Sequence, residues 1–187
     1  MAKGKTSYHR IPAEFKYAKV FESNRDMGNV DSGGNVDFRD IDGQYQLTAV
    51  IDEATKDQMI ASGVPEVSLG YQQFKAVEDG KFEYRFKRPH KSKKLKNDDG
   101  SAKIMGPPEL VDLPASEAKM EAEGGSKLWE HLVYWPEDKF IGNGSSGFVK
   151  YQVYKGQAGR TIVTLESVGI VNHVEFEPSN DDNGPAF

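Results

Sequence analysis

Basic and aromatic residues interleave along short segments of this sequence, and that pairing of types suggests one kind of chemistry. In FKYAKVFE (15–22) alternation puts Phe15, Tyr17, Lys19 and Phe21 on one side, with Ala18 and Val20 suited to a core on the other. FVKYQVYK (148–155) repeats the pattern: Val149, Tyr151 and Val153 form an apolar parity, and Phe148, Lys150, Gln152 and Tyr154 face the other way. In KFEYRFKR (81–88) the parity inverts. There Phe82, Tyr84 and Phe86 are expected in the core, with Lys81, Glu83, Arg85 and Lys87 on the surface. Exposed rings can stack on unpaired bases, worth roughly 1–3 kcal/mol per base, while neighbouring cations follow the phosphates. Such faces suit single-stranded nucleic acid.

Other chemistries find less support. Cysteine is absent, which excludes disulfides, thiol nucleophiles and Cys-based metal centres. GNGSSG (142–147) lacks the Lys and Ser or Thr of a phosphate-binding loop and the spacing of a nucleophile elbow, and Phe148 and Val149 begin a strand directly after it. It reads as a tight turn. His9, His90, His131 and His173 are scattered and form no metal-binding pair. The acidic pairs Asp98-Asp99 and Asp181-Asp182 lie in Gly/Asn-rich stretches rather than at strand ends, where a two-metal nuclease would fix its ligands. No catalytic residue, metal or cofactor is therefore expected, and the chain does not read as an enzyme.

The elements that must carry these side chains are mostly strands. Five are expected, over 15–22, 44–51, 81–88, 148–155 and 161–176, the last bending at Gly169. One helix is well punctuated: Asp52 caps its start, residues 53–62 form its body, and Gly63 and Pro65 stop it. It is expected to plug one end of a β core. A weaker helix is expected over 115–123, packing poorly because its apolar residues are mainly alanine. Residues 28–43 and 97–108 read as polar loops, and WEHLVYW (129–135) as buried structure of undecided type.

Charge is placed unevenly. All 24 Lys and Arg lie at or before Arg160, while Glu166, Glu175, Glu177, Asp181 and Asp182 follow it, so the net charge of -5 sits at the C-terminal end. RFKRPHKSKKLK (85–96) holds Arg85, Lys87, Arg88, Lys91, Lys93, Lys94 and Lys96 with no acid. This asymmetry suggests a polyanionic partner and an acidic interaction tail. After Pro178 the chain reads SNDDNGPAF, acidic and polar and ending on Phe187, which suits a flexible peptide whose last ring docks in a partner's pocket. With 187 residues, no long apolar run and no signal-like start, a single soluble cytoplasmic domain without membrane contact is expected.

These residues resemble a known family, the bacteriophage single-stranded DNA-binding proteins with an OB-fold and an acidic, Phe-terminated tail. The resemblance rests on IGNGSSGFVKYQVYKGQAGRTIVTLESVGIVNHVEFEP (141–178) and on KYAKVFE, QYQLTAVIDEAT and FKRPHK. It implies a mainly β protein: a five-stranded Greek-key OB barrel over residues 1–176 with one or two short helices, and a flexible tail over 177–187. Residues 97–129 have no counterpart in the family and are expected to be an insertion. It also implies a non-catalytic role, coating exposed strands during phage DNA replication, recombination and repair in the host cytoplasm. Replication or recombination proteins would then be recruited through Asp181, Asp182 and Phe187, and a homodimer is compatible. The expected DNA contacts are Tyr17, Lys19, Phe148, Lys150 and Tyr154 on the sheet, with Arg85, Lys87, Arg88, Lys91, Lys93 and Lys94 at the loop edge. RNA- or duplex-binding modules, a metal-dependent nuclease and a virion assembly protein are the alternatives that share parts of this pattern.

Overall fold

The computed structural model describes residues 4–156 and 158–178. In the first strand, β1 (Lys5–Lys19), the odd-numbered Ile11, Ala13 and Phe15 enter the core while Tyr8, Arg10 and Pro12 stay outside. β2 (Gln44–Asp52) follows and runs directly into α1 (Glu53–Ala61). Asp52 caps that helix, its Oδ1 accepting the Thr55 N–H at 2.7 Å, and Gly63 at φ +107° supplies the left-handed stop. Met59 of α1 is fully buried and Ser62 Oγ meets Tyr151 Oη at 2.9 Å, so the helix plugs one end of the β core.

A hairpin of β3 (Val67–Ser68) and β4 (Tyr71–Gln72) leads to the three-residue β5 (Phe74–Ala76) and then β6 (Lys81–Pro89). β7 (Lys91–Lys96) and β8 (Ala102–Ile104) form a second hairpin, so part of the expected loop at 97–108 is a strand. β9 (Glu109–Asp112), α2 (Leu113–Ala122), β10 (Ser146–Lys155) and β11 (Thr161–Asn172) complete the chain. α2 buries only Leu113 and Ser116.

The main sheet has the order β5-β6-β2-β1-β10-β11-β9, antiparallel except where β9 joins β11. Its strands β1, β2, β6, β11 and β10 follow one another in the Greek-key order of an OB-fold, and the curled sheet stays open between β6 and β11. Arg88 spans that opening. Its guanidinium donates to the carbonyls of Leu165 (3.2 Å) on β11, Gly106 (2.9 Å) and Met105 (2.9 Å), with Glu166 at 3.5 Å. Within the barrel Phe15, Leu47, Phe86, Tyr151 and Leu165 are fully buried, and the Phe86 and Tyr151 rings stand 5.3 Å apart. Each such side chain contributes about 1.5–3 kcal/mol on burial.

Several expectations change. β1 carries an extra residue between Lys16, which faces Thr48, and Lys19, which faces Gln46. Tyr17 absorbs it at φ +50°. Phe15 and Phe21 are consequently buried, while Tyr17 is 61% exposed. β11 ends at Asn172, short of residue 176, and its two irregularities fall at Glu166 and Val171 rather than at Gly169. Gly169 serves close packing instead, because a Cβ there would lie 2.6 Å from Leu113 Cδ1. The 129–135 segment is not fully buried: Trp129 is 71% exposed and Glu130 and Tyr134 are exposed, while His131, Leu132, Val133 and Trp135 are half-buried, the Trp135 indole N–H donating to the Lys139 carbonyl. Residues 133–135 run along the outer edge of β9 through Asp112 N–H to Val133 O and Trp135 N–H to Leu110 O.

Beneath Arg88, buried Tyr45 and His90 share a 2.6 Å hydrogen bond between Oη and Nδ1. Burial pushes the Tyr45 phenol up to about 12. Burial, helped by the Arg25 charge, holds the His90 imidazole below its usual value of 6.5. The unfolded chain therefore gains a proton at His90 before the folded one does, so stability is full above about pH 6.5 and falls as pH drops toward the folded pKa. Urea midpoints at about pH 7.5 and about pH 5.5 should show this decline in the wild type and a smaller one in His90→Gln; equal declines would remove His90 as the cause. Arg88→Ala should cost about 2–4 kcal/mol in urea unfolding, because it strands carbonyls across the opening. Intact stability with weakened strand binding would instead return Arg88 to a surface role.

Candidate nucleic-acid interface

β1 changes partner along its length, pairing with β10 over Lys5 to Glu14 and with β2 over Glu14 to Lys19. Its outward residues therefore serve two exterior surfaces. On the β10 side, register places Tyr8 beside Gln152, Arg10 beside Lys150 and Pro12 beside Phe148. The Arg10 guanidinium lies 4.0 Å from the Phe148 ring centroid and the Lys150 ammonium 5.3 Å from that of Tyr8. Tyr8 is 58% exposed, and Arg10 and Lys150 are exposed. Rings and cations thus alternate over two neighbouring strands. Tyr154 extends the same exterior beside Thr6, with its ring against Gly4.

On the other side, β1, β2 and β6 present two registered rows, Lys16–Thr48–Arg85 and Lys19–Gln46–Lys87. Lys19, Arg85 and Lys87 are exposed, whereas Lys16 is tied to Glu83 at 3.1 Å, whose carboxylate raises its pKa. Between Lys19 and Lys87 the Gln46 Oε1 is buried without a hydrogen-bond partner. This surface is cationic and poor in rings. It corresponds to the strand 2–3 face through which OB-folds commonly hold oligonucleotides.

The basic run after Pro89 is partly neutralised at home. Lys93 reaches Asp40 at 2.9 Å and Lys91 reaches Asp42 at 3.4 Å. The Lys93 hydrogen bond holds the Asp40 carboxyl below its ordinary value. Burial alone would raise Asp42, but Lys91 and Arg25 hold it low as well. Lys94 remains exposed on β7.

The expected site residues therefore divide. Phe148, Lys150 and Tyr154 stand together on one exterior. Lys19, Arg85 and Lys87 share the other. Tyr17, turned by the bulge, opens onto a groove with Phe140, Asn143 and Phe176, and its N–H is held by Asn143 Oδ1 at 2.8 Å. Lys91 and Lys93 pin the β7–β8 hairpin to the 39–42 turn, and Arg88 is a staple of the fold rather than a free surface cation. Asp181, Asp182 and Phe187 lie outside the described residues. Sequence reading missed Tyr8 and Arg10, although the alternation of Tyr8 and Arg10 with Ile11 and Ala13 in YHRIPA carries the signal. Among the described residues, no group of three His, Asp or Glu is placed to hold a metal ion, and no helix is long and apolar enough to cross a membrane.

No family model matches the chain, and no curated protein does. Among solved structures, it is similar to gp2.5, a single-stranded DNA-binding protein encoded by bacteriophage T7, at 17% identity and a TM-score of 0.48. That alignment covers 97% of this chain and 96% of the other. At that level the likeness carries no functional argument.

Proposed function

We propose that this protein binds single-stranded DNA with little sequence preference, coats transiently exposed strands during replication, recombination and repair, and catalyses nothing. The observation that carries the reading is the alternation of Tyr8, Arg10, Phe148 and Lys150 across β1 and β10. A cation held over a ring puts a phosphate-binding charge beside a stacking surface, the two groups a single strand offers partners to. In a duplex the base faces are hidden and the rings would gain nothing. Among the described residues neither Arg10 nor Lys150 is in an ion pair, so both charges are available to phosphate.

Lys19, Arg85 and Lys87 extend the positive exterior and would track the backbone on the far side of β1. The acidic segment after Pro178, with Asp181, Asp182 and Phe187, would recruit replication or recombination proteins and would weaken strand binding by competing for the same cations.

Titration of fluorescent single-stranded DNA, RNA and duplex at several salt concentrations tests the reading. Single-stranded DNA should bind most tightly and with strong salt dependence, and equal binding to duplex would overturn it. Lys150→Ala should lower the slope of log K against log salt by about 0.7, the value for one phosphate contact on a single strand; an unchanged slope removes that residue from the interface. Phe148→Ala should cost roughly 1–3 kcal/mol of single-strand affinity at constant salt. No loss would confine the ring to packing.

A further inference from the structure

Beside the ring-and-cation exterior lies a cleft of about 260 Å³, lined on its side away from the sheet by Leu128, Trp129 and Leu132. Strand register gives its floor two parallel rows. Arg10, Lys150, Ser167 and Glu109 are neighbours across β1, β10, β11 and β9, and Phe148, Gly169 and Val111 form the row beside them. One row is polar and graded, from two cations through a hydroxyl to a carboxylate. The other is apolar and kept low at its centre by Gly169, against which Leu113 packs.

The cleft is smaller than the roughly 300–1,000 Å³ of sites for drug-sized ligands, and suits one planar ring system. Trp129 is an unusual residue to leave 71% exposed, and Lys127 sits 5.9 Å from its ring. Among the described residues Arg10, Lys150 and Glu109 make no ion pairs with one another. The charge order therefore stands open to a ligand that is anionic at one end and a hydrogen-bond donor at the other.

We propose that this cleft receives a single unstacked base of the bound DNA strand, and that Glu109 favours a base carrying an exocyclic amino group. This rests on the single-strand reading above. The phosphate lies toward Arg10 and Lys150, the base face lies against Phe148 and Trp129, and the amino group of cytosine or adenine donates to the Glu109 carboxylate. Thymine offers a carbonyl at the position of the cytosine amine, which the carboxylate repels. The cost of unstacking is small because single strands have already lost their pairing. Residues 97–129, which have no place in the family resemblance, thereby contribute both Glu109 and Trp129 to the same site.

The test combines anisotropy of end-labelled oligo-dC and oligo-dT with tryptophan emission, using the full chain and the variants Trp129→Phe and Glu109→Ala. Anisotropy reports strand binding as such, while emission reports the cleft. The expected result is quenching by saturating oligo-dC that Trp129→Phe abolishes, and a modest, about three-fold, tighter binding of oligo-dC than oligo-dT that Glu109→Ala levels. Tight binding by anisotropy with no quenching would overturn the cleft and leave single-strand binding standing. Quenching with the same base ratio in Glu109→Ala would overturn the role of that carboxylate. No anisotropy change with either strand would overturn both readings together.

Discussion

A single extra residue in β1 sets which side chains of its second half face the core and which face outward. Up to Lys16 the strand keeps strict alternation, and its odd residues feed the barrel. At Tyr17 the backbone enters the left-handed region, a costly place for a ring-bearing residue, and alternation restarts with Ala18 inside and Lys19 outside. The strand pairs with β10 up to Glu14 and with β2 from Glu14 onward, as a small barrel requires of its first strand, and that change of partner divides the outer surface into a ring-bearing half and a largely cationic half. The bulge lies within the β2-paired stretch, where it keeps Ala18 and Val20 in the core after Phe15 and turns Lys19 outward beside Lys16.

Charge alone does not decide which basic residues are free. Arg88 lies on the inward parity of β6, in step with Tyr84 and Phe86, and its guanidinium satisfies carbonyls where the ladder between β6 and β11 fails. Lys91 and Lys93 hold down a hairpin against Asp42 and Asp40, although such exposed pairs are worth little and dissolve in salt. Arg10, Lys19, Arg85, Lys87 and Lys150 stay solvated on strand surfaces. Rigid strands hold these charges at fixed spacing. The hairpin cations lack that advantage.

Much of this architecture is legible in the sequence wherever a strand pairs without interruption. In β6 and β10 the alternation assigns Tyr84, Phe86, Val149, Tyr151 and Val153 to the core correctly, and Asp52 and Gly63 mark the ends of α1. Alternation fails where an insertion breaks its phase, as at Tyr17, and residue type misleads where a charged side chain is needed inside, as at Arg88. Tyr8 and Arg10 escape a sequence reading because the first half of β1 has few large apolar residues to mark it as a strand. Trp129 belongs to another class of difficulty. A short aromatic run has no period, and only tertiary packing shows which rings remain outside.

The margins of the main sheet bear on how copies of this chain behave when crowded. At one edge β5 is three residues long and carries Lys75. At the other, residues 133–135 lie along β9 and take up its backbone groups. Neither edge offers a long row of unpaired amides onto which another molecule could zip. At high local concentration, exposed strand edges nucleate aggregates. Here those margins are short or covered, so crowded copies can stand together and still come apart.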